Sequence, residues 1–323
     1  MYGNLNSRST WVFFSGLLLI FASPVQAGVI GAYSGVVYDE ELGGSGLNVI
    51  NGPHVTNSAG SSSSTVGFTS AVIPGLAASG YGASSFGALH GNASSIAAGD
   101  YVQTRGQGGA YWRDQLTISN STLTGTSAFA HASFSLSGSL NSLSDPLAAG
   151  AIGNSTIGAT VRVNGGNVFS TGGQLVSRNG AIITNDMNRG LALNGVFQSD
   201  PVTGLTGVFS FDIPFVFGTS FQLYADLNAF TQAATSSPID VASAYSNFGS
   251  SGYWEGISGV RLTDGTVVSG SSLSSESGFD WNNAYLRSAL PPPPPGGVPE
   301  PVSLALLGIG LATLAAMRRR KTV

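Results

Sequence analysis

The 323 residues contain no cysteine. That removes disulfides, thiolate metal ligands and cysteine nucleophiles, so the fold has to be held by burial alone. Charge is also scarce: Asp, Glu, Lys and Arg make up 9% of the chain, against about a quarter in ordinary soluble domains. The one lysine is Lys321, close to the C-terminus. Residues 28–290 hold seven arginines and fifteen carboxylates, a net charge of about −8. A surface that binds phosphates needs the opposite sign, so no nucleic-acid partner is expected. Long helical periodicity is missing as well, since nothing between the two termini repeats every 3.6 residues.

Apolar residues still make up 42% of the chain, and 46 residues are glycine. This is enough to build a core and is not the signature of disorder. The period that recurs is two, which places alternate side chains on opposite faces of a strand. Residues 126–140 put Ala128, Ala130, Ala132, Phe134, Leu136 and Leu140 on one face. Residues 156–163 do the same with Ile157, Ala159, Val161 and Val163, and Asn164-Gly165 then predicts a hairpin turn. The strongest alternation runs from Gly204 to Asn228. Phe209, Phe211, Ile213, Phe215, Phe217, Phe221, Leu223, Ala225 and Leu227 face one way, and Ser210, Asp212, Gln222, Tyr224 and Asp226 face the other. Two strands joined at Gly218-Thr219 are predicted here. Residues 253–262 form a further strand that turns at Asp264-Gly265 into Val267-Val268. Gly28 to Gly99 is less legible, because Ala, Ser and Gly carry little periodicity. There the pattern predicts a short strand at 36–38, a loop at Ser61 to Ser64 and a strand at 66–73. The glycine-rich run Gly106-Gln107-Gly108-Gly109 lacks the Lys-Ser/Thr of a phosphate loop and reads as an ordinary loop. Many short strands with regular turn signals predict an all-β fold, a single β-sandwich or jelly-roll-like domain.

The two ends have a different character. Residues 1–27 read as a secretory signal with Arg8 at its start, an apolar core at 11–21 and Val25-Gln26-Ala27, where signal peptidase would cut after Ala27. The competing reading is an N-terminal anchor. At the other end, Val298-Pro299-Glu300-Pro301 precedes an apolar run at 302–317, and Arg318-Arg319-Arg320-Lys321 follows it. The run is shorter than the roughly 20 residues a full span requires, and the basic cluster would stay on the cytoplasmic side. Together these features resemble the PEP-CTERM sorting signal of Gram-negative bacteria. The resemblance implies an exported protein handed to a membrane transpeptidase, an exosortase, then released or attached at the surface, often in cells that make exopolysaccharide. A plain C-terminal anchor is the alternative. The expected organisation is a signal helix at 1–27, an extracellular domain at 28–290, a Pro/Gly linker at 291–297 and the sorting signal at 298–323 with a short transmembrane helix. The segment around 215–268 is also loosely similar to exported domains of this class.

Chemistry-bearing patterns are sparse. His54, His90 and His131 are widely spaced and form no metal-ligand motif. No Gly-x-Ser-x-Gly elbow stands between a strand and a helix. Secreted glycosidases use paired carboxylates, and Asp212 and Asp226 fall on the wet faces of adjoining predicted strands, with Glu255 and Asp264 as possible neighbours. Nothing in the sequence fixes their separation, and solvated charges on a sheet are the usual explanation. Tyr38-Asp39-Glu40-Glu41 and Asn185-Asp186 offer oxygen ligands for Ca²⁺, without the spacing of a dedicated loop. No other cofactor is implied. The reading is a non-enzymatic, structural or adhesive protein of the cell surface or exopolysaccharide matrix. Its contacts would run through hydroxyl-rich sheet faces and exposed aromatics such as Trp254 and Trp281. A carbohydrate-binding lectin and a carbohydrate-active enzyme on the same fold are the alternatives.

Overall fold

The computed structural model describes residues 28–287 apart from 40–47, 59, 72, 74, 147–149, 188–197 and 200–203, and within them the chain forms strands and no α-helix. The expected terminal helices and the proline linker lie outside the described residues.

The strands make two antiparallel sheets. The first runs β11 (Ala181–Met187), β10 (Gly166–Arg178), β9 (Ile152–Val163), β14 (Ser220–Ala234), β7 (Gln103–Ser119), β1 (Val29–Asp39) and β2 (Asn48–Asn51), with β3 (Val55–Asn57) also on β1 and β17 (Ser272–Ser275) on β7. The second runs β12 (Gln198–Ser199), β13 (Gly204–Val216), β8 (Ser127–Ser144), β15 (Val241–Leu262), β6 (Ala88–Ala98), β5 (Ala77–Ser85) and β4 (Ser61–Thr69), with β16 (Val267–Val268) on β15. The sheets stack in matching order: β9 lies over β8 and β15, β14 over β15 and β6, β7 over β6 and β5, and β1 over β5 and β4.

The alternation read from the sequence sets which side chains point between the sheets. Phe209, Phe211, Ile213, Phe217, Leu223, Ala225 and Leu227 are completely buried, as are Ala130, Ala132 and Trp112. The turn at Asn164-Gly165 forms with φ of 48° and 84°, as a two-residue hairpin loop requires. The two strands joined at Gly218-Thr219 do form, but as β13 in one sheet and β14 in the other. Alternation reports only inward and outward, and both sheets have an inward face.

The interior has two halves of different chemistry. One is aromatic: Trp112, Trp254, Trp281, Phe134, Phe169, Phe209, Phe211 and Phe248 are all fully buried there. In the other half the sheets close almost to backbone contact. A Cβ added to Gly80 would overlap the carbonyl oxygen of Gln107, and one added to Gly108 would overlap those of Tyr81 and Asn92. Stacked sheets ordinarily sit about 10 Å apart, so only glycine fits these inward positions. Hydroxyls then bridge the gap between sheets. Ser34 Oγ meets Ser64 Oγ at 2.7 Å, and Ser84 Oγ donates to the carbonyl of Gly31 at 2.9 Å. Thr104 Oγ1 donates to the carbonyl of Ile96 at 3.0 Å, and Ser246 Oγ to that of Thr156 at 2.9 Å. Each such bond contributes about 1 kcal/mol net.

This thin half corrects two loop assignments. Ser61 to Ser64 belong to β4, with Ser62 and Ser64 buried, and Gly106 to Gly109 lie in the middle of β7. Their inward residues are small because the sheets are close, so hydrophobicity gives no signal.

Candidate functional site

The outer face of the first sheet carries an organised cluster built on reciprocal cross-strand pairs. Gly31 on β1 stands opposite Tyr111 on β7, and Tyr33 on β1 opposite Gly109 on β7. Each tyrosine lies across its neighbour's glycine: a Cβ at Gly31 would run into the Tyr111 ring, and one at Gly109 into the end of Tyr33. The bare glycines let the rings lie down on the sheet and be half-buried.

The register extends the cluster across β14 and β9. One row reads Gly31, Tyr111, Asp226, Thr160, and the adjacent row reads Arg113, Tyr224, Arg162. The rings of Tyr111 and Tyr224 stack with centroids 5.9 Å apart and planes at 28°. The Arg162 guanidinium sits over Tyr224, 5.2 Å from its centroid, a cation–π arrangement. His54 stacks on Tyr111 from outside, and its Nε2 lies 3.3 Å from the tyrosine hydroxyl. Beside the rings, Gln107 Nε2 donates to Asn228 Oδ1 at 3.3 Å.

Asp226 is the charged group at the centre. Its Oδ1 is buried without a hydrogen-bond partner among the described residues, and Arg162 Nη2 approaches it to 3.7 Å. Burial pushes the carboxyl up to about 6, with Arg162 pulling the other way. The Tyr224 and Tyr33 hydroxyls are pushed up by burial and then by the Asp226 charge. The arrangement offers flat ring faces, guanidinium donors and amide hydrogen-bonding groups on one surface.

Asp212 does not join Asp226. It projects from β13 on the outer face of the other sheet, so the two carboxylates stand on opposite sides of the stacked sheets. There Asp212 Oδ1 pairs with His131 Nδ1 at 3.0 Å and its Oδ2 accepts from Arg261 Nη2. Glu255 accepts from Ser135 Oγ at 2.5 Å and from Arg287 Nη2 at 2.8 Å. Asp264 sits in the turn before β16, where Thr266 N–H donates to it at 2.8 Å and helps hold the carboxyl below the usual range. His90 is buried with its Nδ1 2.7 Å from the Gly249 carbonyl oxygen, and burial lowers its pKa.

The tryptophans are the clearest correction. Trp254 and Trp281, expected as exposed contact residues, are both 0% exposed. With Trp112 they form one cluster, with ring centroids 4.6 to 6.1 Å apart. Trp254 Nε1 donates to the Trp281 carbonyl at 2.8 Å, and Trp281 Nε1 donates to the buried Asp114. A tryptophan in an irregular segment shows no periodicity, and its acceptor lies 167 residues away in sequence. On the outer face of the first sheet the aromatic surface is mostly tyrosine, with Phe230 beside Gln107. Gly31-x-Tyr33 and Gly109-x-Tyr111 carried a signal for it, legible only once β1 and β7 are known to pair.

Among the described residues no three His, Asp or Glu side chains converge on a metal position. Asn185 and Asp186 lie on β11, while Glu40 and Glu41 fall outside the described residues. So do the sorting motif Val298, Pro299, Glu300 and Pro301, the basic stop Arg318, Arg319, Arg320 and Lys321, and the cleavage residue Ala27. No curated protein and no solved structure matches the chain. Residues 297–321 match the family described as the PEP-CTERM protein-sorting motif. The chain therefore carries a PEP-CTERM sorting signal, the mark of an exported protein processed by an exosortase.

Proposed function

We propose that the protein is a non-enzymatic structural or adhesive component of the bacterial surface or its extracellular polysaccharide matrix, working without a resident cofactor. The observation that carries this reading is the sorting signal at residues 297–321. Signal peptidase would remove residues 1–27, and the C-terminal segment would hold the protein transiently in the membrane until the exosortase acts. Outside the cell, a body of about −8 with few charges and many hydroxyls suits hydrated contact with sugars.

The tyrosine face of the first sheet favours carbohydrate binding as the mode of contact. Flat aromatic faces beside amide and guanidinium groups meet the apolar ring faces and the hydroxyls of a sugar. An enzymatic reading finds less support. Glycosidases set two carboxyls about 5 to 9.5 Å apart, and Asp212 and Asp226 occupy opposite faces. On the second sheet, the partners of Asp212 and Glu255 are His131 and Ser135. These are four residues apart along β8, roughly 13 Å.

Incubating the purified protein with the host's own polysaccharide tests the reading. The expected result is co-sedimentation with polymer of unchanged chain length. Shortening of the polymer that stops in Asp212→Asn or Asp226→Asn would make the protein an enzyme instead.

A further inference from the structure

The charge on the tyrosine face runs against that of the whole body. Arg105, Arg113 and Arg162 all point outward from the first sheet, Arg113 and Arg162 beside the rings, with Asp226 between these two. Three of the seven arginines in residues 28–290 are thus gathered on one face of an acidic protein. Arg105 and Arg113 have no ion pair among the described residues. Arg162 is held by Asn167 Oδ1, which accepts from its Nε at 3.0 Å, as well as by Asp226 and Tyr224.

These groups form a track. Along β7 the outward residues run Arg105, Gln107, Gly109, Tyr111, Arg113, a distance of roughly 27 Å at the usual strand rise. Asn228, Asp226 and Tyr224 lie beside the last three on β14. A linear polymer laid along the strand would meet a guanidinium at each end and aromatic faces and amides between. Guanidinium forks match carboxylates in bidentate geometry, and stacked tyrosines match ring faces.

We propose that this face binds a polysaccharide that contains uronic acids, with Tyr111 against a sugar ring, and with Arg105 at one end of the track and Arg113 and Arg162 at the other pairing with sugar carboxylates. The proposal rests on the extracellular reading above and names the ligand class for that surface. Asp226 acts as a positioning residue by holding Arg162 over Tyr224. A single-stranded nucleic acid also combines rings with negative charge, and oligo-dT is the probe that distinguishes it from a uronic-acid polymer.

The test is isothermal titration of the mature protein with polygalacturonate, dextran, dextran sulfate and oligo-dT. Wild type is compared with an Arg113→Gln/Arg162→Gln double variant, with Tyr111→Ala, and with Arg261→Gln on the other sheet as the control. The expected result is binding of polygalacturonate in preference to the other three probes. Its affinity should fall at least tenfold in the double variant and in Tyr111→Ala, stay unchanged in Arg261→Gln, and weaken with salt. Circular dichroism melts of each variant establish that a loss is not unfolding. Polygalacturonate bound no better than dextran, or equally well by the double variant, would overturn the proposal. Dextran sulfate or oligo-dT bound as tightly as polygalacturonate would also overturn it, leaving charge alone or a nucleic-acid ligand. Cell fractionation separates this from the broader reading: a matrix-located protein that ignores polygalacturonate sinks the ligand assignment only, whereas retention in the cytoplasm sinks the extracellular role.

Discussion

Trp281 donates its indole N–H to the carboxylate of Asp114 at 2.8 Å, with Trp281 0% and Asp114 1% exposed. The same carboxylate accepts from the backbone N–H of Gln115 at 2.9 Å and of Ser277 at 3.1 Å, and from the Ser277 hydroxyl. One residue of β7 thereby fastens the last described segment over the aromatic half of the interior.

Asp114→Asn should therefore be far more damaging than its size suggests. All four groups, from three residues, donate, so the new amide N–H₂ meets donors and at least one buried N–H is left unpaired. The expected loss is about 2–3 kcal/mol, read as a fall in the urea midpoint. Tryptophan fluorescence should shift to the red as the Trp112, Trp254 and Trp281 cluster opens.

The close approach of the sheets gives a paired prediction. Gly108→Ala forces a methyl into the carbonyls of Tyr81 and Asn92 and should cost about 3 kcal/mol or more. Gly158→Ala on β9 meets nothing within 4 Å and should gain about 0.5–1 kcal/mol through the lower backbone entropy of alanine. Thermal melts of the two variants decide it. Equal effects would mean that the sheets do not touch at Gly108.

Asp226 should make stability depend on pH in an unusual direction. Its folded pKa, about 6, is above the ordinary carboxylate value of 3.8. Between those values the folded state holds more protons than the unfolded one, so this group lowers stability as pH rises from about 4 to about 6 and has no further effect above that. The loss is at most about 3 kcal/mol. Asp226→Asn removes the charge that burial penalises. The variant should be more stable than wild type at pH 7, with the difference shrinking toward pH 4. Denaturation midpoints at the two pH values give the answer, and a difference independent of pH would contradict it.

The legible part of this fold is its aromatic half. Phe209 to Leu227 alternate so regularly that in and out can be read directly, and every inward residue named from that pattern is buried. The thin half was hidden because its inward positions are Ser62, Ser64, Gly80, Gly82, Ser84, Gly106 and Gly108. Burial there comes from close backbone approach and hydroxyl bridges, which leave no hydrophobic stripe. The sheet to which each strand belongs was hidden for another reason, since β13 and β14 carry the same alternation in different sheets. The candidate site was hidden by register. Tyr111 and Tyr224 are ordinary strand residues until β1, β7, β14 and β9 are set side by side, and only then do Gly31 and Gly109 appear beneath rings.

The central claim is that the chain is exported and processed at Val298-Pro299-Glu300-Pro301. Intact mass and membrane partitioning of the native protein, beside a Glu300→Ala form, test it most directly. The account predicts a wild-type mass lacking residues 1–27 and the C-terminal tail, recovered in the matrix or medium, with the variant held in the membrane. A wild-type mass that keeps Arg318 to Val323, with both forms in the membrane, would contradict it and leave a simple tail-anchored surface domain.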